Sequence, residues 1–396
     1  MKRIVIALVA GTLLSVTTAF GQGANGRSAP AVREVPTFQV DPAWPKKLPN
    51  GWVLGPVSGL AVDEQDHIWM ITRPNEKWRP DQKANPPAPA VIEIDAAGNF
   101  LQGWGGPGTG YDWPTVEHGI SVDPKGFIWI TGRGEGDHQI LKFTKAGRFV
   151  LQIGHPHASK GNADTENFNE PADVTVSAAT NEIFVADGYG NRRVIVFDAG
   201  TGVFKRMWGA FGNVPADLKP GELNHSPDDM RGDGPPQFNN VHSVRISNDG
   251  LVYVCDRENQ RVQVFTLEGK FLSQVFISRG QMPESTATGM LFGQERKAVE
   301  NSVLRSHEAP SRTTFSPDAE QKFLYVLDRR QQKIAILERK TLRIVGYFGG
   351  GVGQDAGQFY VLHDMATDSH GNFYTAEINQ NSRAQKFLFK GIAQAH

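Results

Sequence analysis

VHSVRISNDGLVYVCDRENQRVQVF, residues 241–265, decides the fold of this chain. From His242 two runs of alternating apolar and polar residues flank the turn formers Asn248, Asp249 and Gly250, the signature of a β-hairpin. A third run, RVQVF from Arg261, and a fourth, KFLSQVF from Lys270, follow it. The same unit recurs as SGLAVDEQDHIWMITR from Ser58, HGISVDPKGFIWITGR from His118, ADVTVSAATNEIFVADG from Ala172, SRTTFSPDAEQKFLYVLDR from Ser311 and HDMATDSHGNFYTAEIN from His363. The equivalent residues Leu60, Ile120, Val174, Val244, Thr313 and Met365 are 60, 54, 70, 69 and 52 positions apart, a spacing that suits propeller blades carrying inserted loops. Only the last unit lacks a fourth run, and PTFQV from Pro36 is left over ahead of the first. The expected fold is therefore all-β, a six-bladed β-propeller closed by an N-terminal strand that completes the last blade. The long connections at 74–90, 155–170, 210–240 and 278–310 join outermost to innermost strands, which puts them on one face, where loops of that length line or cover a site.

Composition narrows the function. Lys plus Arg (41) nearly balances Asp plus Glu (42) and no basic block appears, so the electrostatic footprint of a nucleic-acid binder is missing. The single cysteine, Cys255, excludes an intramolecular disulfide and a Cys-rich metal site. Lys2 and Arg3, the apolar run Ile4 to Val16 and the small-residue pattern ending at Gly21 read as a signal peptide over 1–21, with cleavage expected near Gln22. No later stretch approaches spanning length, so no membrane span is expected and the mature chain should be exported, periplasmic or extracellular. Segment 22–50 then contains the closure strand 36–42, and 51–393 forms the propeller.

The first position of the repeat reads Ser58, His118, Ala172, His242, Ser311, His363. Histidine occupies alternate blades, so sixfold pseudo-symmetry aims three imidazoles at the channel from directions about 120° apart. Three histidines with an open fourth position are the ligand set of a catalytic zinc. A lone channel histidine reads as a hydrogen-bonding filler; three in register favour a metal.

The junction between second and third strands also repeats, as DGYGNRRV from Asp187, DRENQRV from Asp256, DRRQQKI from Asp328 and EINQNSRA from Glu377. Its acid and its base can pair across the turn and hold the hairpin register. This pattern resembles the NHL-type repeat. More closely, HGISVDPKGFIWITG, EPADVTVSAATNEIFVADGYGNRRVIVF, VHSVRISNDGLVYVCDRENQRVQVF and LHDMATDSHGNFYTAE are similar to the lyase domain of the peptidylglycine α-amidating enzyme. The likeness runs from about Val57 to Phe389. It implies a six-bladed propeller that cleaves peptidyl-α-hydroxyglycine to a peptide amide and glyoxylate. It implies zinc on His118, His242 and His363, Tyr189 as the base and Arg73 orienting the substrate. It also implies calcium in the channel, held by Asp364 and the backbone oxygens of Leu60 and Ile120. Gly190 and Val361 stand where that family has a cysteine and a methionine.

Three functions follow from these residues. One is a zinc lyase acting on a small-molecule or peptide-like hydroxylated amide. Another is a different metal-dependent hydrolase or isomerase on the same triad. The third is a non-catalytic propeller binding a protein partner through its loop-bearing face, against which the three channel imidazoles speak.

Overall fold

The computed structural model describes residues 33–77, 79–218, 232–279 and 309–395. The expected signal peptide and parts of three long connections lie outside them, and connection 74–90 does not join an outermost to an innermost strand as expected but runs from the second strand, Ile68–Thr72, to the third, Val91–Ile94, of the first blade. The described residues form six four-stranded antiparallel sheets, each built in chain order from inner to outer strand in five blades. The inner strands are Val57–Val62, Glu117–Val122, Asp173–Val176, Val241–Ile246, Arg312–Phe315 and Leu362–Thr367.

Short-range chemistry explains why each repeat becomes a hairpin. In the first blade Asp63 Oδ1 accepts from the amides of Gln65 and His67 while its other oxygen accepts from Trp69 Nε1 at 3.0 Å. Asp123 does the same for Lys125, Phe127 and Trp129, and Asp368 for His370, Asn372 and the Tyr374 hydroxyl. One carboxylate thus closes the turn and anchors the aromatic residue of the second strand. At the next turn the acid–base pairs form as the repeat predicts: Arg193 on Asp187, Arg261 on Asp256 and Arg383 on Glu377, at 2.8, 2.7 and 2.8 Å. In the fifth blade Asp328 accepts from Ser278 Oγ.

Sheets with two apolar faces bury them against each other, and six apolar clusters fill the gaps between neighbouring blades. The ring closes where expected. Strand Arg33–Asp41 pairs antiparallel with Arg383–Ala395 as the outermost strand of the last blade. Phe38 of that strand stacks within 6.0 Å of Tyr325, Phe348, Phe373 and Phe389, in the gap between the fifth and sixth blades. Deleting residues 36–42 is expected to lower the melting temperature of the whole propeller in one transition, by about 5 °C or more, because an edge and an inter-blade cluster are exposed together. Calorimetry giving an unchanged melting temperature would count against closure by this strand.

Candidate metal centre

The start of each inner strand faces the propeller axis, and the three histidines there converge. Their ring centroids are 5.0 Å (His118 to His242), 4.8 Å (His118 to His363) and 5.3 Å (His242 to His363) apart, a nearly equilateral triangle. All three are buried, and one ligand nitrogen from each lies within 4.8 Å of the others.

The intervening blades supply the partners. His118 Nδ1 donates to Ala172 O at 2.7 Å, His242 Nδ1 to Ser311 O at 2.9 Å, and His363 Nδ1 to Ser58 O at 2.8 Å. Each acceptor is the same repeat position on the next blade. A carbonyl only accepts, so the proton sits on Nδ1 and Nε2 keeps its lone pair. Burial holds all three imidazoles well below the ordinary histidine range, reinforced first by Arg73 at His118, by Arg257 at His242 and by His118 at His363. Three neutral imidazoles with oriented rings are a donor set that fits a divalent metal.

Tyr189 lies against this triangle. Its hydroxyl is 3.0 Å from His118 Nε2 and 3.1 Å from His242 Nε2, and Arg257 Nη1 donates to it at 3.4 Å. The tyrosine reaches inward from the turn after the second strand of the third blade, where Gly188 passes so close to Val241 that a Cβ would lie 2.2 Å from its backbone. Gly190 is constrained as well, since a Cβ there would meet the Asn169 side chain at 2.2 Å.

Arg73 follows the second strand of the first blade and is 2% exposed. Its Nε donates to Glu117 O at 2.8 Å, and Nη1 lies 3.6 Å from Glu76. Its Nη2 is buried with no hydrogen-bond partner among the described residues. The structure therefore brings His118, His242, His363, Tyr189 and Arg73 into one site on the face where the inner strands begin. It adds two arginines that sequence reasoning passed over. The guanidinium carbons of Arg133 and Arg257 lie 5.9 and 5.3 Å from the centroid of the Tyr189 ring.

The calcium expectation meets a different arrangement. Arg312 places its guanidinium on both oxygens of Asp364 and reaches across the axis to Asp173, which also pairs with Arg245. Asp364 further accepts from the amides of Leu60 at 2.9 Å and Met365 at 2.6 Å. Leu60 thus turns its N–H to the carboxylate, and with Ile120 it lines a cavity of about 200 Å³ shared with Arg245, Thr314 and Met365. Two guanidiniums balance the two carboxylates, so the Asp364 carboxylate, taken up by Arg312, does not fit a calcium site. Breaking such a buried pair from one side strands a charge, and Arg312→Met is expected to cost about 3–5 kcal/mol, read as a lower urea midpoint. An unchanged midpoint would show the cluster to be energetically idle. A second grouping, Asp63, His67 and Glu93, is structural in the same sense, because Asp63 is held by Lys145 at 2.8 Å while closing its turn.

Comparison with known proteins gives the repeat type and the relatives of this chain. The NHL repeat model matches residues 168–197 and 238–265. A probable peptidyl-alpha-hydroxyglycine alpha-amidating lyase of Caenorhabditis elegans is 32% identical over 231 residues, 54% of this chain and 56% of that protein. Peptidyl-glycine alpha-amidating monooxygenase A of Xenopus laevis is 30% identical over 237 residues, 56% of this chain and 23% of that protein. NHL repeat-containing protein 3 of Mus musculus is 27% identical over 311 residues, 77% of this chain and 70% of that protein. The chain spans about half or less of the length of the first two. Among its described residues no helix is long and apolar enough to cross a membrane. It is a six-bladed β-propeller with NHL repeats, homologous at modest identity to the peptidyl-α-hydroxyglycine α-amidating lyases and monooxygenases.

Proposed function

We propose that this chain is an exported, metal-dependent carbon–nitrogen lyase that splits an α-hydroxyglycine amide into the primary amide and glyoxylate. The observation that carries the reading is the neutral histidine triangle with the Tyr189 hydroxyl against two of its ligand nitrogens. The similarity to amidating lyases supports it.

Three imidazoles with no thiolate in the set suit zinc, which His118, His242 and His363 would hold. When bound, the ion would supply Lewis acidity toward a hydroxyl or carbonyl oxygen. The remaining chemistry belongs to the side chains. Tyr189, acting as the phenolate, accepts the hydroxyl proton as the O–H electron pair becomes the carbonyl π bond. The C–N bond breaks, its pair stays on nitrogen, and the proton held by Tyr189 passes to that nitrogen. Atoms and electrons balance without a co-reactant. The unsatisfied Nη2 of Arg73 offers a charge-assisted donor for the carboxylate that leaves as glyoxylate.

Zinc-loaded protein incubated with N-benzoyl-α-hydroxyglycine is expected to release glyoxylate in proportion to amide. Arg73→Ala should cost about 10- to 100-fold in kcat/KM, the scale of a lost charged hydrogen bond, with metal content retained. A fully metallated protein that releases no glyoxylate would exclude the lyase reading in favour of another reaction on the same triad. N-terminal sequencing of exported protein is expected to begin near Gln22, and an intact Met1 would exclude cleavage there.

A further inference from the structure

The turn that carries Arg73 recurs in every blade, and strand pairing fixes its equivalents. Leu60 pairs with Met70, Ile120 with Ile130, Val174 with Val185, Val244 with Val254, Thr313 with Val326 and Met365 with Thr375. Three residues beyond each partner stand Arg73, Arg133, Gly188, Arg257, Arg329 and Ile378. Four arginines thus occupy one ring on the face of the histidine triangle, in the first, second, fourth and fifth blades. Arg133 and Arg329 lie three blades apart, on opposite sides of the axis.

Counter-charge is incomplete. Glu76 lies 3.6 Å from Arg73, and Glu258 lies 3.0 Å from Arg257. The Glu117 carboxylate accepts from Trp113 Nε1 at 2.9 Å and acts on Arg73 only at longer range. Glu170 acts on Arg133 only at longer range, and the Arg133 guanidinium makes no ion pair or side-chain hydrogen bond among the described residues. One arginine suffices for the single carboxylate of an α-hydroxyglycine amide. Arg133, on the rim of a buried site and without an ion pair among the described residues, can concentrate and orient a second anion.

We propose that Arg133 forms a second anion subsite, and that the preferred substrate carries a further carboxylate on its acyl side. The planar fork of arginine suits a carboxylate held at both oxygens. This inference rests on the lyase reading for its substrate but not for its binding site. The test compares N-succinyl- with N-butanoyl-α-hydroxyglycine on zinc-loaded protein at fixed ionic strength. The succinyl substrate is expected to have the higher kcat/KM, by about tenfold or more. Arg133→Gln should bring the ratio toward one, and Arg133→Lys should restore part of it. A neutral preference, or a ratio unmoved in Arg133→Gln, overturns the subsite. Calorimetry with glutarate against glutaramate, which keeps one carboxylate, reads the subsite without turnover. Tighter glutarate binding that weakens in Arg133→Gln supports it even if neither substrate releases glyoxylate. Equal binding of the two overturns it even if both do.

Discussion

The His242→Ala protein is expected to purify as a folded propeller without its metal. The wild-type chain should carry one divalent ion, and elemental analysis of metal per chain should fall to background in His118→Ala, His242→Ala and His363→Ala alike. The loss should exceed the 10- to 100-fold that removing a hydrogen-bond partner of a metal ligand costs, because a third of the donor set disappears. The fold should survive for a local reason. Each imidazole is buried at a strand start and makes one backbone hydrogen bond, that of His242 going to Ser311 O. Truncation leaves that carbonyl unsatisfied, at about 1–3 kcal/mol, while the six inter-blade clusters that hold the sheets together are untouched. Circular dichroism should therefore keep its β signature in all three variants. Full metal retention by His242→Ala would refute a site shared by the three blades.

What could be read in advance, and what could not, follows from the range of the interactions. The hairpins were legible because their determinants are local: Asp63, Asp123 and Asp368 each close a turn within four residues and hold an aromatic six residues on. The histidine ring was legible because repeat symmetry converts equal position in sequence into equal height on the axis. The closure strand was legible because one blade was a strand short. The arginine ring obeys the same symmetry as the histidines, yet Gly188 and Ile378 interrupt it, and Arg257 and Arg329 sit inside the acid–base turn motif that already had a structural reading. Aligning the residue after each second strand would have exposed it. Arg312 is a different case. It is one residue past the repeat's first position, and only its length lets it bridge Asp364 on the neighbouring blade and Asp173 across the channel. Register says where a side chain starts, not how far across an axis it reaches, so a cation site suggested by likeness is here taken up by a guanidinium.

Replacing Tyr189 by Phe separates the two roles open to that residue. As a packing aromatic, Tyr189 would lose little, since the ring keeps its edge contacts to His118 and His242, with centroids 5.1 and 5.6 Å away, and its place between Arg133 and Arg257. As the base it would lose the one oxygen that stands beside the ligand nitrogens and accepts from Arg257. A cation against that oxygen is where negative charge would be held while the hydroxyl proton is in transit. Tyr189→Phe is therefore expected to lower kcat by roughly 10²–10⁴, the contribution of a positioned general base. Metal content should stay at the wild-type level, because Tyr189 is outside the donor set, and KM should move little, because the substrate carboxylate is assigned to arginine. Turnover by Tyr189→Phe within a few-fold of wild type, at full metal loading, would remove the phenol from the reaction and leave the proton to be carried by another group at the histidine ring.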